Sequence, residues 1–386
     1  MKNLYLLGAT GSIGRQTLDI VRRNPDRFRV VTMTAHTKVA ELLQLMEEFH
    51  PLFVAMSTRE QIDEIKAKFP DVKVGYGRAG LVRAATYMSD DKTGLLVNAL
   101  VGISGLVPTV EAIQNGRNVA LANKETLVVG GEIILPLLEK HHASLYPIDS
   151  EHSAIWQCLR GEESKNVRRI IITASGGALR DVPIEQLANA TKAEALSHPT
   201  WSMGDKITID SATMMNKGFE VIEAHYLFHM PLEKIEIIMH PESIVHSMVE
   251  YVDKSIVAQL SSHDMRLPID YALHYPDRLD NAVAPLELAK LGSLTFKAPD
   301  LRRYPCFVLA MRAIQEGGSM PCVLNAANEV AVKWFLEGKI SFGKIAEIVE
   351  DALFHHQKRK APNLETLISV DRQVRERLFE IHSPKE

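Results

Sequence analysis

Short apolar runs alternate with helical stretches over the first 150 residues, and this alternation restricts the fold more than any other feature of the chain. The apolar runs lie at 3–7, 28–34, 52–56, 72–74, 95–99, 118–121 and 144–147, and the helical stretches at 12–23, 40–49, 60–69, 105–115 and 131–142. This pattern is typical of a parallel sheet with helices on both of its faces. The sequence therefore predicts an α/β fold that begins with a Rossmann-like domain.

The pattern changes after residue 150. Strand-like runs at 169–173, 235–239, 244–251 and 255–260 indicate a second sheet, and Asp253 and Lys254 mark the turn of a hairpin between the last two. Proline and turn residues fill 275–305, and helical spacing returns at 321–336, 342–356 and 372–381. We predict an N-terminal nucleotide-binding domain over 1–149, a central catalytic α/β domain over 150–274, a linker over 275–304 and a C-terminal helical domain over 305–386.

Charge and cysteine content exclude several classes of function. The net charge is −4, which does not favour general binding to nucleic acid or membranes. The cysteines are Cys158, Cys306 and Cys322, an odd and widely spaced set that argues against disulfides and a cysteine zinc site. No apolar run is long enough for a membrane span or a signal sequence. We expect a cytoplasmic protein without a nucleic-acid or membrane partner.

A glycine-rich turn joins the first strand to the first helix. Gly8, Gly11 and Gly14 are three residues apart. Glycines permit a tight turn and close approach of the backbone, and a helix N-terminus presents free amide groups to a pyrophosphate. The turn predicts a dinucleotide site, and the alternative is a tight turn that binds no ligand.

The end of the second strand indicates the cofactor. NAD-binding domains usually place an acid there for the ribose 2′-hydroxyl, whereas this chain has His36, Thr37 and Lys38. Hydroxyl and cationic groups suit a 2′-phosphate, which favours NADP over NAD. The alternative is that Lys38 is simply solvated.

Two carboxylates follow the last apolar run of the first domain. In an extended chain Asp149 and Glu151 would point the same way, beyond the carboxyl ends of the strands, where ligands bind in open α/β sheets. Oxygen ligands without a nearby cysteine indicate Mg²⁺ or Mn²⁺. The alternative is an acidic helix N-terminus capped by Ser150 or Ser153.

The segment 210–220 is predicted to be a capped helix start. Asn216, Lys217 and Glu220 then share a helix face. With Ser211 they offer hydroxyl, amide and ammonium donors to a phosphate, and Glu220 adds a third carboxylate for a metal. The alternative is an ordinary surface Lys–Glu pair.

Further candidates lie in loops and at strand ends. Lys124 follows a strand of the first sheet, and Ser175 precedes two glycines in a loop suited to an anion. The segment 197–204 contains Trp201 and Met203 and is predicted to be a mobile lid, with local packing as the alternative. A zinc interpretation of His240, His246 and His263 is disfavoured, because their spacing is loose and structural histidines are more common.

Taken together, these segments closely resemble the 1-deoxy-D-xylulose 5-phosphate reductoisomerase family. The matching stretches are GATGSIG, ALANKETLV, PIDSEHSAI, TASGG, HPTWSMG, DSATMMNKG-x-E, HPESIVHSMV and LNAANE. They run from residue 8 to about residue 330 in the order of the family, and several are long enough to be diagnostic.

The resemblance implies a role for each matching residue. The metal ligands are Asp149, Glu151 and Glu220, which with Lys124 form the catalytic set. The substrate contacts are Lys124, Ser150, Glu151, Ser175, His198, Ser211, Asn216, Lys217 and Glu220. The cofactor contacts are Thr10, Gly11, Ser12, Ile13, His36, Thr37, Lys38, Asn123, Glu125 and Gly204. Trp201 and Met203 belong to the lid. The family often has a glycine where this chain has His36, so the 2′-phosphate contact among residues 36–38 stays open.

The family also implies the reaction and the assembly. Its members are homodimers whose central domain, 150–274 here, is both catalytic and dimerising. They use NADPH and one divalent ion (Mg²⁺, Mn²⁺ or Co²⁺) to convert the sugar phosphate 1-deoxy-D-xylulose 5-phosphate into 2-C-methyl-D-erythritol 4-phosphate. This is an early step of mevalonate-independent isoprenoid synthesis. A metal Lewis acid would serve either a retro-aldol and aldol route or a direct ketol shift, and reduction by NADPH would follow.

Two other functions are compatible with parts of the sequence. A semialdehyde dehydrogenase can share the glycine turn, but it needs a reactive cysteine and no cysteine lies in a candidate site loop. A non-catalytic NADP sensor would explain the turn but not the carboxylates and phosphate donors.

Overall fold

The computed structural model describes residues 1–201 and 203–382. The chain divides into two compact units, each built from three separate segments. Unit 1 contains Met1–Thr126, Ile133–Ser153 and Asp264–Val283. Unit 2 contains Leu127–Glu132, Ala154–His263 and Ala284–Glu386. Ser202 of the predicted lid and residues 383–386 of the predicted helical domain lie outside the described residues.

Unit 1 is built on a parallel sheet of seven strands. The strands are β1 (Lys2–Leu7), β2 (Phe28–Thr34), β3 (Phe53–Met56), β4 (Lys73–Tyr76), β5 (Leu95–Asn98), β6 (Asn118–Leu121) and β7 (Leu145–Pro147), in the order β4-β3-β2-β1-β5-β6-β7. Four successive residues of β1, Leu4 to Leu7, are fully buried. Since successive strand residues face opposite sides, both faces of the sheet are covered, as a parallel sheet requires.

Unit 2 contains a mixed sheet of four strands. These are β8 (Val167–Ala174), β9 (Ile235–Met239), β10 (Val245–Tyr251) and β11 (Ile256–Leu260), in the order β11-β10-β8-β9. β8 runs parallel to β9 and antiparallel to β10, and β10 pairs with β11 as the predicted hairpin. Lys254 has a φ of 76° and the Asp253 carboxylate accepts from the Ser255 amide, which closes the turn.

Seventeen α-helices are present among the described residues. In the first half of the chain they are α1 (Ser12–Arg23), α2 (Val39–Phe49), α3 (Arg59–Lys68), α4 (Gly77–Ala85), α5 (Leu106–Gln114), α6 (Lys124–His141), α7 (Ser150–Cys158), α8 (Ile184–Leu187) and α9 (Lys192–Leu196). In the second half they are α10 (Asp205–Ala212), α11 (Met215–Leu227), α12 (Arg266–His274), α13 (Leu288–Leu291), α14 (Pro305–Glu316), α15 (Met320–Leu336), α16 (Phe342–His355) and α17 (Leu364–His382).

Several helices differ from the prediction. α4 and α14 were not predicted, and α6 and α17 begin seven and eight residues before the predicted starts at 131 and 372. α14 begins with Pro305, which is favourable in the first turn of a helix although it resembles linker composition. In α6 the residues Leu127 to Val129 are all buried, so the one-sided apolar spacing by which a surface helix is recognised is missing.

The compact units also differ from the predicted division. Residues 264–283, divided between the predicted central domain and linker, belong to unit 1. The reason is visible in α12, whose Ile269 and Leu273 join the core of that unit. Arg266 pairs with Asp19 of α1 at 3.2 Å, and Lys2 donates to the Leu273 carbonyl at 2.7 Å.

Among the described residues, no helix combines the length and the apolar character that crossing a membrane requires.

Candidate active site

The glycine turn of unit 1 has the geometry of a dinucleotide loop. Gly8 has a φ of +86°, and a Cβ on Gly14 would lie 2.2 Å from the Gly8 carbonyl oxygen, so a side chain at either position would force the turn apart. Gly11 caps α1 with no side-chain hydrogen bond, and Ser12 is exposed. The first-turn amides of α1 are therefore available to an anion.

The end of β2 lies beside this turn. The Thr34 hydroxyl accepts from the Gly8 amide at 3.0 Å, and the Ala9 amide donates to the Thr34 carbonyl at 2.8 Å. His36, Thr37 and Lys38 follow, and all three are exposed. The structure thus brings the two predicted halves of the cofactor site, residues 10–13 and 36–38, to neighbouring strand ends. The Lys38 ammonium group is paired with Glu41 at 2.7 Å.

Asn123 and Glu125 lie at the end of β6 and are both buried. The Asn123 amide donates to the carbonyls of Leu100 and Gly102 and to the Glu125 carboxylate, at 3.1, 3.0 and 2.9 Å. Its oxygen accepts from the Thr126 hydroxyl. The Asn123 side chain therefore fixes the loop that begins at the carboxyl end of β5.

A compact charged group forms where β6 and β7 end. Lys124 and Asp149 make an ion pair of 2.8 Å, and His152 lies 3.5 Å from the same carboxylate oxygen. The Asp149 and Glu151 carboxylates have oxygens within 4.8 Å of each other, and the Ser150 hydroxyl donates to Glu151 at 2.5 Å. The predicted reason for this proximity is wrong: α7 begins at Ser150, so Glu151 lies in a helical turn and not in extended chain.

The electrostatics keep Asp149 ionised. Burial alone would raise the pKa of this carboxyl, but the Lys124 ammonium group and His152 outweigh burial and hold the pKa well below its usual range. The ionised Asp149 carboxylate and the neighbouring Glu151 carboxylate together provide hard oxygen ligands, which Mg²⁺ and Mn²⁺ prefer.

In unit 2, the loop after β8 is tightly enclosed. Gly177 has a φ of +70°, and a Cβ there would lie 2.6 Å from the Ser211 carbonyl oxygen. Only a glycine lets the loop lie so close to the end of α10. The consequence is that Ser175 and Ser211, which the sequence predicts as phosphate contacts, lie on adjoining segments.

His198 is fixed in one tautomer by its neighbours. Its Nδ1 accepts from the amides of Thr200 and Trp201 at 3.3 and 3.0 Å, so Nε2 carries the proton and donates to the Ser175 hydroxyl at 3.0 Å. Burial lowers the pKa of His198, and the charges of Arg180 and His263 lower it further. Because the Ser175 oxygen also accepts from the Gly177 amide at 3.2 Å, its own proton is left to donate to a ligand.

The predicted lid lies near two more histidines. The ring centroid of Trp201 is 5.2 Å from that of His263 and 6.1 Å from that of His246. Met203 is partly buried, and Gly204 is exposed and precedes α10. His240 is a structural histidine as predicted, because its Nδ1 lies 2.9 Å from the Thr295 carbonyl oxygen and its Nε2 accepts two backbone amides.

The phosphate and carboxylate candidates on α11 are confirmed as neighbours. Asn216 and Lys217 both donate to the Glu220 carboxylate, and Lys217 and Glu220 are almost fully buried. The predicted single helix start is wrong, since Asp210 and Ser211 lie in the last turn of α10, which ends at Ala212, and a left-handed Met214 separates it from α11. A buried Lys–Glu pair is also not the surface pair that was the alternative.

Asn328 and Arg180 support this region, and neither was predicted from the sequence. The Asp210 carboxylate is buried between Lys206 at 2.9 Å and the amide of Asn328 at 2.8 Å. Arg180 donates to the carbonyls of Ser175 and Pro241 at 3.1 and 3.4 Å. Asn328 belongs to the LNAANE stretch, so a polar motif in an otherwise apolar helix was the available signal.

A parallel sheet of this order, with a glycine turn after its central strand, defines a dinucleotide-binding α/β protein. Three family models match the chain. The model described as 1-deoxy-D-xylulose 5-phosphate reductoisomerase matches residues 4–131, and the model of its C-terminal domain matches residues 145–228. A model described as DXP reductoisomerase C-terminal domain matches residues 260–377. The chain belongs to the 1-deoxy-D-xylulose 5-phosphate reductoisomerase family.

Similar proteins extend over the whole chain. The proteins named 1-deoxy-D-xylulose 5-phosphate reductoisomerase from Macrococcus caseolyticus and Caldanaerobacter subterraneus are 49% and 50% identical to it, covering 99% and 98% of this chain and 100% and 99% of theirs. A crystal structure of DOX-P reductoisomerase with NADPH, fosmidomycin and magnesium has a TM-score of 0.92 and 40% identity, and covers 99% of this chain and 100% of that one. The Zymomonas mobilis enzyme with NADPH has a TM-score of 0.90 and 42% identity, with 97% coverage of both chains.

Proposed function

We propose that this chain uses NADPH and a divalent metal ion to rearrange and reduce 1-deoxy-D-xylulose 5-phosphate to 2-C-methyl-D-erythritol 4-phosphate, a step toward isoprenoid precursors. The observation that carries the proposal is the identity of about one half over essentially the full length of proteins with this named activity. The residues that the reaction needs are present in both units.

The first unit fits NADPH. The glycine turn at 8–14 leaves room and free amides for a pyrophosphate, with Thr10, Gly11, Ser12 and Ile13 around it. His36, Thr37 and Lys38 are exposed polar residues, none of them acidic, that suit a 2′-phosphate. Asn123 and Glu125 shape the loop after β5, and Gly204 has open space around it for a ligand. NADPH supplies the hydride for the reduction.

The carboxylates fit a divalent ion. Asp149 and Glu151 present two oxygens within 4.8 Å, and we assign the third ligand to Glu220 on α11. Oxygen donors suit Mg²⁺, Mn²⁺ or Co²⁺. When bound, such an ion supplies a Lewis acid that polarises adjacent carbonyl and hydroxyl oxygens of a substrate.

The phosphate end of the substrate is assigned to unit 2. Ser175 and Ser211 provide hydroxyl donors, Asn216 an amide and Lys217 a positive charge, while His198 holds Ser175 in the donating orientation. Anchoring a group far from the reacting carbons supplies binding energy for orientation. Lys124 and Ser150 contact the reacting end, where the ammonium group stabilises negative charge on oxygen.

The segment with Trp201 and Met203 is assigned as the lid over the substrate. Its backbone is held by the His198 ring, and its Trp201 ring lies against His263. Closure over the substrate would exclude water during the reaction.

NADPH absorbance with 1-deoxy-D-xylulose 5-phosphate, measured with and without Mg²⁺ or Mn²⁺, tests the proposal. We expect oxidation that requires the metal and stops with EDTA. Folded protein that binds NADPH but never oxidises it would instead support a sensor, and oxidation that ignores EDTA would support a metal-free dehydrogenase.

We also assign a homodimer and a cytoplasmic location. The edge strand β11 exposes Ile256, Val257 and Leu260 by 51%, 44% and 36%, which is an aggregation hazard unless another chain covers it. A second copy of this chain is the occupant we assign. The cysteines of the chain are buried free thiols, in keeping with a reducing compartment.

A further inference from the structure

A three-residue charge cluster lies beside the glycine turn in unit 1. The Glu41 carboxylate is shared by two cations: one oxygen lies 2.7 Å from the Lys38 ammonium group and the other 3.9 Å from the Arg15 guanidinium group. All three side chains are well exposed, Arg15 by 59%. Two positive charges facing one negative charge leave the cluster with a net positive charge.

The position of the cluster follows from the fold. Arg15 comes directly after Gly14 on α1, and Lys38 immediately precedes α2. Both helices begin at the carboxyl ends of neighbouring parallel strands, β1 and β2. In dinucleotide-binding domains this corner faces the adenosine ribose, and a nearby arginine distinguishes NADP from NAD.

We infer that Arg15 and Lys38 together bind the 2′-phosphate of NADPH, and that Glu41 occupies the place of this phosphate between them when no cofactor is bound. The inference rests on the proposed use of NADPH and assigns the residues that select it. Arg15 was not predicted from the sequence, since it lies on the first helix and not after the second strand.

The energetics allow the exchange. Exposed ion pairs are weak because water screens them, so releasing Glu41 costs little. A phosphate monoester carries a charge of about −2 and several acceptor oxygens, so it engages both cations better than one carboxylate does. Glu41 therefore weakens binding of the 2′-phosphate while it keeps the cations in place.

The test uses three variants of the full chain, Arg15→Gln, Lys38→Gln and Glu41→Gln, with dissociation constants for NADPH and NADH measured at fixed ionic strength. We expect Arg15→Gln and Lys38→Gln each to weaken NADPH binding by about tenfold and to leave NADH binding unchanged. Glu41→Gln should tighten NADPH binding a few-fold. Loss of Lys38 and loss of Glu41, two members of one ion pair, should thus change NADPH affinity in opposite directions. If the pair were only a structural salt bridge, both changes would have the same effect.

The matched control is Arg23→Gln, on the same helix but at its far end, where it pairs with Asp19. It should change neither constant. Adenosine 2′,5′-bisphosphate and adenosine 5′-monophosphate, used as competing probes, isolate the 2′-phosphate from the rest of the cofactor.

Three outcomes overturn the inference. Equal loss of NADPH and NADH binding in Arg15→Gln would assign Arg15 to the pyrophosphate, and no change would make it a surface residue. Weaker NADH binding in Glu41→Gln would mean that Glu41 contacts the ribose hydroxyl. If the wild-type chain binds neither cofactor, the proposed use of NADPH itself fails. If the wild type prefers NADPH but the variants bind both cofactors as the wild type does, only the assignment of Arg15, Lys38 and Glu41 fails.

Discussion

At the scale of single residues, His198 connects Ser175 to the segment that we propose as the lid. Its Nδ1 accepts from the amides of Thr200 and Trp201, and its Nε2 donates to Ser175. This arrangement requires a neutral ring, because a proton on Nδ1 would face two N–H donors. Burial, Arg180 and His263 all lower the pKa of His198 and favour that neutral form.

The lowered pKa predicts a loss of stability in acid. As the pH falls below the ordinary value of 6.5, the unfolded chain binds a proton at His198 while the folded protein resists it, so stability decreases until the folded pKa is reached. We expect the free energy of unfolding to fall more between pH 7.5 and pH 5 in the wild type than in His198→Gln. Denaturant titrations at both pH values check this, and equal losses would contradict it.

Glu220 is the residue through which the metal assignment is most directly tested. We expect Glu220→Gln to lower turnover on the order of a hundredfold and to raise the metal concentration needed for half-maximal activity, because one anionic ligand is lost. Folding should survive, since a glutamine has nearly the same volume and its single side-chain oxygen can still accept from Lys217. Glu233→Gln, an exposed acid of the same unit, is the control. Unchanged metal dependence would remove Glu220 from the ligand set.

Sequence patterns predicted which residues of α11 lie together better than they predicted where the helix begins. Asn216, Lys217 and Glu220 were placed on one helix face because a helix has a fixed period, and that is confirmed. The predicted helix boundary before them was wrong, because Met214 adopts a left-handed backbone conformation. Few side chains favour this conformation, and no sequence pattern indicates it. Arg180 was missed because its role depends on two backbone carbonyls, which carry no sequence signal.

At the scale of elements, the loop after β8 is shaped by its close contact with the end of α10. A Cβ on Gly177 would collide with the backbone of Ser211 and Ala212, each 2.6 Å away. The position of Ser175 relative to Ser211 therefore depends on this glycine.

Gly177→Ala should reduce both stability and substrate affinity. We expect a loss of about 2–4 kcal/mol in unfolding free energy, from the positive φ and the collision together, and a raised KM for the sugar phosphate. Gly161→Ala is the matched control, because Gly161 has a φ of +87° with nothing within 4 Å of a Cβ. That variant should cost only about 1 kcal/mol and leave KM unchanged. Equal effects on KM would disprove a special role for the loop.

The elements themselves were predicted to different degrees. α1 and β2 were predicted with the observed bounds, since an amphipathic helix and a run of buried β-branched residues have distinct periods. The start of α6 was wrong because its first turns are buried on all sides. α14 was missed because Pro305 and its neighbours resemble linker composition.

At the scale of the whole molecule, the exposed apolar residues of β11 lead to a prediction about assembly. We expect the wild-type chain to sediment at twice its mass of 43.1 kDa, and Val257→Lys to shift it toward the single-chain mass, because a buried unpaired charge opposes association. Leu288→Lys, at another exposed apolar position of the same unit, should leave the mass unchanged. A wild type that sediments as a single chain would rule out the homodimer.

The buried hydrogen bond between Asp210 and Asn328 has a consequence for how such chains can evolve by recombination. It ties α10, which carries Ser211, to α15, more than a hundred residues further along the chain. A mosaic gene that took residues 154–263 from one parent and 284–386 from a distant one would pair a carboxylate and an amide that had not been selected together. We expect viable recombinants to inherit these two stretches jointly, so that the helical C-terminal region is inherited as part of unit 2 and not as an exchangeable module.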